Sequence, residues 1–339
     1  MRLLLPFVAC FATAVAISAP HPDISDTAIT GLQNPATLSA FGFFEGNAAN
    51  PSMKLIPYTL RTPLFSDYAE KQRFIYLPPE ALVTADKDGR LVFPVGSALV
   101  KNFGYTDSAT GALTVLETRI LLHKSDGWVA LPYVWRADGS DADLRVGGTR
   151  IPVSFDREGK KLSISYAVPN KNQCKQCHSS AEQIVPIGPI WQNMDFLKAK
   201  DAARFTKANP QLAKLDRWAA WDDARSGNVQ ERARHYLKVN CGHCHAPKGA
   251  ASNSGLFLDG SATDAAAIGI GKRPVAAGRA SGNLDFIIEA GHPERSILIA
   301  RMKSTDSGIA MPELGRSLHH KEGVKLLEDW IAAMPPSVY

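Results

Sequence analysis

Between Phe74 and Val168 apolar and polar residues tend to alternate, most plainly from Lys161 onward, where Leu162, Ile164, Tyr166 and Val168 interleave with Lys161, Ser163, Ser165 and Ala167. A period of two places each set on its own face of a strand. Similar runs predict strands over 74–77, 91–94, 98–105, 113–122 and 128–135. Asp88-Gly89, Thr110-Gly111, Asp126-Gly127 and Glu158-Gly159 fall between them as turn residues. Pro94 and Pro132 lie at strand ends or edges, where a missing N–H does little harm. Residues 17–60, rich in Pro, Asn and Ala, carry no periodic signal. After Val168 the period lengthens. Val229, Ala233, Tyr236 and Leu237 form one helical stripe, and Val324, Leu327, Trp330, Ile331 and Met334 form another. The pattern predicts an α+β multidomain chain, an antiparallel β-sandwich-like domain followed by an all-α module.

The first sixteen residues stand apart. Arg2 precedes an apolar run from Leu3 to Val15, which closes on Ala14-Val15-Ala16, a small-x-small site. This predicts a signal peptide over 1–16 and a periplasmic mature chain; a lipoprotein would instead use Cys10 as its lipidated residue. No later stretch approaches about 20 continuous apolar residues, so no transmembrane span is expected in the mature chain. The 339 residues are 45% hydrophobic and 21% charged, with a formal net charge of +5. That leaves room for two packed domains. The charge is too small and too scattered to expect a nucleic-acid partner.

Chemistry enters with the cysteines. Four of the five fall in two copies of one pattern, Cys174-Lys175-Gln176-Cys177-His178 and Cys241-Gly242-His243-Cys244-His245. C-x-x-C-H is the spacing of covalent haem c attachment: the thiols become thioethers, and the next His lies under the iron. Two haems are expected, one at minimum, with His178 and His245 as metal ligands. The two helical stripes are what a class I cytochrome c module needs, since such helices cross beside the haem. Between them lies Ala310-Met311-Pro312-Glu313-Leu314-Gly315, with Met311 66 positions after His245. Pro312 biases Met311 towards extended backbone, and a soft thioether on iron raises its reduction potential. His245 and Met311 are the expected axial pair. A six-coordinate iron has no open position for substrate, which argues for electron transfer with a redox partner protein. The expected boundaries are 17–168 for the β-rich domain, 169–225 for the first C-x-x-C-H segment and 226–339 for the class I cytochrome c module.

From about residue 40 the chain also resembles secreted bacterial c-type cytochromes of uncharacterised role. The resemblance rests on T-P-L-F-S-D-Y-A-E-K-Q-R-F (62–74), F-P-V-G-S-A-L-V-K-N-F (93–103), E-T-R-I-L (117–121), H-Y-L-K-V-N-C-G-H-C-H, P-V-A-A-G-R, M-P-E-L-G-R and H-H-K-E-G-V. It implies a β-rich domain followed by a haem c module that transfers electrons, and it supplies no substrate. Gly271 stands where many such proteins have a cysteine. The phrase F-P-V-G-S-A-L-V-K is also similar to domains of the cytochrome P460 type, in which open haem chemistry occurs.

The first motif is more ambiguous. Pro189 stands eleven residues past His178, where the carbonyl of a class I cytochrome's proline holds the proximal ring. Met194 is a metal-ligand candidate on the distal side, and Met53, His123 and His235 are further candidates from other parts of the fold. Three readings compete: a closed di-haem carrier, an open haem that reacts with substrate, or a motif used for a disulfide or metal. A four-cysteine zinc site is disfavoured, because it leaves both histidines unexplained. Other features have bland readings. Glu117 and Arg119 are expected as solvated charges on one strand face, Asp138, Asp141 and Asp143 as a solvent loop, and His319-His320 as surface residues. Whether the chain is an enzyme stays open: the alternatives to an electron carrier are a haem oxidoreductase whose β domain binds substrate, and a β domain that only docks the cytochrome to a redox partner.

Overall fold

The computed structural model describes residues 23–180, 182–276 and 278–336. The signal peptide 1–16 and Cys10 lie outside them. In chain order the strands are β1 (Ile56–Leu60), β2 (Glu70–Tyr76), β3 (Thr84–Ala85), β4 (Leu91–Val92), β5 (Ala98–Thr106), β6 (Leu113–Lys124), β7 (Gly127–Trp135), β8 (Ala142–Leu144), β9 (Thr149–Arg157), β10 (Lys160–Val168), β11 (Ser179–Ser180), β12 (Gln183–Ile184) and β13 (Met194–Phe196). The helices are α1 (Asp26–Thr30), α2 (Lys171–His178), α3 (Ala199–Thr206), α4 (Val229–Asn240), α5 (Ala265–Ile268), α6 (Ile297–Lys303) and α7 (Lys321–Ala332).

Seven strands form one antiparallel sheet in the order β13-β1-β2-β5-β6-β7-β8. Its long central strands are the ones their alternation predicts. The plainest alternating run, β10, pairs with β9 in a separate hairpin instead. One sheet face carries Phe74, Tyr76, Val100, Ile120, Leu122 and Tyr133, packed against Ile29, Leu38, Phe41 and Phe43 from the N-terminal segment. Phe41 stacks on Phe43 at 5.1 Å and meets Tyr133 edge-on at 5.9 Å. The opposite face carries two apolar clusters. One gathers Ile56, Ile75, Leu99, Trp191, Met194 and Phe205; the other gathers Phe103, Tyr105, Phe155, Tyr166 and Val168.

This architecture corrects the expected fold class. Among the described residues the other sheets are two-stranded, and none completes a sandwich. The layer over the first face is the aperiodic stretch 24–55, whose buried phenylalanines follow no period and so gave no signal. Nor, among the described residues, does an all-α class I cytochrome c module follow the sheet. Helices α4 and α7 do form where their stripes predict, and Ala233, Tyr236, Leu237, Val324, Leu327, Trp330 and Ile331 share one cluster. Neither exceeds twelve residues. The chain between them runs mostly as turns and loops, broken by helices of four and seven residues. Frequent Gly, Pro, Ser and Asp favour turns there over longer helices.

The loop between β1 and β2 joins the sheet to this C-terminal segment. Phe65 N–H donates to Asn240 Oδ1 at 2.8 Å, and the Asp67 carboxylate accepts Ser317 N–H at 2.7 Å and Leu318 N–H at 2.8 Å. Tyr68 O–H donates to Glu322 at 3.0 Å, and Arg157 pairs with the same carboxylate. Asp67 and Tyr68 both hold positive φ, 48° and 61°, a conformation kept only where surrounding contacts over-determine it. His320 sits inside this joint rather than on the surface. It stacks on Phe65 at 4.4 Å, lies 3.0 Å from Tyr236 Oη, and its side chain is 10% exposed. Among the described residues no helix is long and apolar enough to cross a membrane.

Candidate functional site: two C-x-x-C-H motifs at one joint

The first motif is a helix because Asn170 caps it. Asn170 Oδ1 accepts Gln173 N–H at 2.9 Å, and Gln173 Oε1 accepts Asn170 N–H at 3.0 Å, the reciprocal capping box. Cys174, Cys177 and His178 stand at i, i+3 and i+4 of α2, and so on one face. The ring of His178 is held by Val185, whose carbonyl oxygen accepts Nδ1–H at 3.0 Å. This corrects the expected role of Pro189, whose carbonyl accepts Leu91 N–H instead. The short β11–β12 hairpin turns the chain back so soon after His178 that Val185 arrives first. A carbonyl can only accept, so the His178 proton is on Nδ1 and Nε2 presents a lone pair. Burial holds this imidazole down to about 4, in the neutral form a metal takes.

The second motif continues from α4. Asn228 and Glu231 cap that helix reciprocally, and Cys241 ends it. One further turn follows, with Cys244 N–H and His245 N–H both donating to the Cys241 carbonyl, at 3.1 and 2.9 Å. Gly242 is required here: a Cβ would stand 2.6 Å from the Lys238 carbonyl oxygen and 2.8 Å from Asp259 Cα. His245 Nδ1 lies 3.2 Å from Ser254 Oγ. That hydroxyl donates to the Ala251 carbonyl at 2.7 Å, so it accepts from His245 and leaves Nε2 bare, as at His178. Burial, with Arg301 and His243 nearby, lowers the His245 pKa.

The structure brings the two motifs together. The Cys177 thiol lies beside the Cys244 thiol and beside His243. The Cys244 thiol holds Cys177 below its usual range against burial, with His243 assisting, and the same interaction raises Cys244. His243 was overlooked in the sequence, where it is only a spacer of its motif. Its Nδ1 is buried with no hydrogen-bond partner.

Met311 lies in a loop tied to this region. Its N–H donates to the Arg301 carbonyl at 3.1 Å, Arg301 faces His245, and Glu313 faces Cys244. The other distal candidates are occupied elsewhere or exposed. Met194 is wholly buried in the cluster with Ile75, Leu99 and Trp191. His123 stacks on Trp128 at 4.5 Å and bonds the Phe93 carbonyl. His235 stacks on Trp218 at 5.2 Å and accepts Ala219 N–H. Met53 is 86% exposed. Asp138, Asp141 and Asp143 are spent on Ser140, Ser39 and Arg136.

Glu117 is not solvated, and Arg119, half-buried, turns its guanidinium to it. Glu117 is fully buried, paired with Arg119 and accepting Tyr166 O–H at 2.5 Å. The β9–β10 hairpin covers this part of the strand face, which the strand's own sequence does not announce.

The residues fit a pair of c-type haems. All four motif cysteines are free of disulfides, and each motif histidine has its proton on Nδ1 and a bare Nε2. Among the described residues no three His, Cys, Asp or Glu side chains converge as a metal-ion site. Searches of protein-family models, curated proteins and solved structures find no match to the chain.

Proposed function

We propose that the chain is an exported, periplasmic c-type cytochrome in which two haem sites form one electron-transfer unit with a redox partner protein. The observation that carries this reading is the contact of Cys177 with Cys244 and His243. Attachment points this close leave little distance for an electron to cross. Haem c supplies reversible one-electron chemistry at iron when bound. Cys174 and Cys177 would hold one group, Cys241 and Cys244 the other. Val185 and Ser254 fix the His178 and His245 rings with Nε2 outward. Met311 would supply the thioether ligand for the group held at His245.

A second reading has its own support. Each distal candidate for the His178 site is packed in core, engaged elsewhere or exposed. An open position there would admit a small molecule and make the chain a haem oxidoreductase. CO or cyanide added to the protein would then shift its spectrum at once; unchanged spectra would remove this reading.

The first test is a pyridine haemochrome assay with intact mass on protein matured in a periplasm. Two haems per chain are expected. One would confine redox chemistry to the 241–245 motif, and none would end the cytochrome reading.

A further inference from the structure

Across the sheet face below α2, register aligns Tyr58, Arg73, Lys101 and Arg119 on four adjacent strands. Two residues along the same face, Lys71, Phe103 and Glu117 align likewise. Four cations and one carboxylate therefore share a strip between the two apolar clusters of this face. Among the described residues the strip's only ion pair is Arg119 with Glu117. Asp67, the next carboxylate, is already committed to the Ser317 and Leu318 N–H groups.

Arg73 is 7% exposed, and its Nη2 is buried without a partner; its Nη1 reaches only the Lys71 carbonyl, at 3.2 Å. The Lys101 ammonium and the Arg119 guanidinium lie over the Phe103 ring, 4.7 and 4.1 Å from its centroid. Burial, then Arg73, Lys71 and Arg119, hold the Lys101 ammonium well below its usual range, and burial with Arg73 and Arg119 pushes Lys71 down to about 7. Arg73 is buried and Lys71, Lys101 and Arg119 are half-buried, with Glu117 as their one carboxylate; like charges drawn out of water are costly, and a further anion placed among them relieves that cost. The strip adjoins the first motif: Arg119 faces Cys174, and Lys101 faces His178. Arg73 lies two strand spacings from Arg119, about 10 Å further across the sheet.

We propose that Lys71, Arg73, Lys101 and Arg119 form a seat for a dianion bearing carboxylate or similar oxyanion groups, beside the first C-x-x-C-H motif. The proposal rests on the haem reading of that motif. The anion has two sources, the propionates of the haem attached at Cys174 and Cys177 or a free small oxyanion. Guanidinium and ammonium groups supply the forked and point contacts that either requires.

The test uses the mature holoprotein, with Arg73→Gln and Lys101→Gln as variants and the exposed Lys325→Gln as control. Haem content, midpoint potentials and calorimetric titration with inorganic phosphate and with succinate are measured for each. If propionates fill the seat, the wild type binds neither probe and both variants lower one midpoint potential, while the control does not. If a free anion fills it, the wild type binds phosphate or succinate and both variants weaken binding at least tenfold. Unchanged potentials together with no probe binding overturn the seat. Should the assay find no haem at 174–178, the haem reading fails separately, and the titration alone decides the seat: binding lost in the variants upholds it, no binding overturns it.

Discussion

Glu117 shows how one side chain acquires its role. A carboxylate with no solvent contact is tolerable only when cations and donors surround it. Arg119 supplies the charge and Tyr166, from the neighbouring hairpin, a hydroxyl. Replacing Tyr166 with Phe leaves that carboxylate one donor short and is expected to cost about 2 kcal/mol, read from the shift in denaturant midpoint. A change within about 0.3 kcal/mol would show that the hydroxyl matters little. Met311 is tested at the same scale. Met311→Ala is expected to lower the potential of the His245 haem and to abolish the long-wavelength sulfur-to-iron band; an unaltered band would remove Met311 from the ligand set. The motif cysteines and histidines were legible because five adjacent residues carry the whole pattern. His243, Glu117 and His320 were not, since their neighbours come from distant strands and helices.

Among elements, the central strands and helices α4 and α7 follow their periods, because half-buried elements sort apolar side chains by geometry. Strand β1, the hairpin partner β9 and β13 went unassigned; the burial pattern of β1 has no alternation, and β13 is three residues long. The loop between β1 and β2 is the element with the widest consequences. It was noted in the sequence as T-P-L-F-S-D-Y, with no structural role assigned. Its Asp67 carboxylate satisfies two backbone N–H groups that precede α7. Asp67→Ala leaves both unpaired and removes the tie to the sheet. We expect a loss of about 2–3 kcal/mol and faster proteolysis near 311–320 than elsewhere. Equal protection across the chain would contradict that.

For the whole molecule, the joint between sheet and C-terminal segment carries an acid sensitivity. Burial lowers the His320 pKa to about 4 from 6.5; Glu322 opposes the shift, and Arg157 and Lys71 add to it. Between those values the unfolded chain binds a proton that the folded chain refuses, so stability falls as pH drops from about 6.5 to about 4. The expected loss by pH 5 is of the order of 2 kcal/mol. His320→Phe keeps the stacking on Phe65 and should flatten this slope, as measured by denaturation at pH 7 and pH 5; an unchanged slope would place the sensitivity elsewhere. The sequence by itself determined the two C-x-x-C-H motifs, the central strands and the two longest helical stripes, because each depends on spacing within a few residues. Only the tertiary structure decided that one sheet stands in place of a sandwich, that no all-α module closes the chain, and that both motifs meet above a row of cations. Those outcomes depend on which faces pack together, and burial is a property of the neighbours rather than of the segment itself.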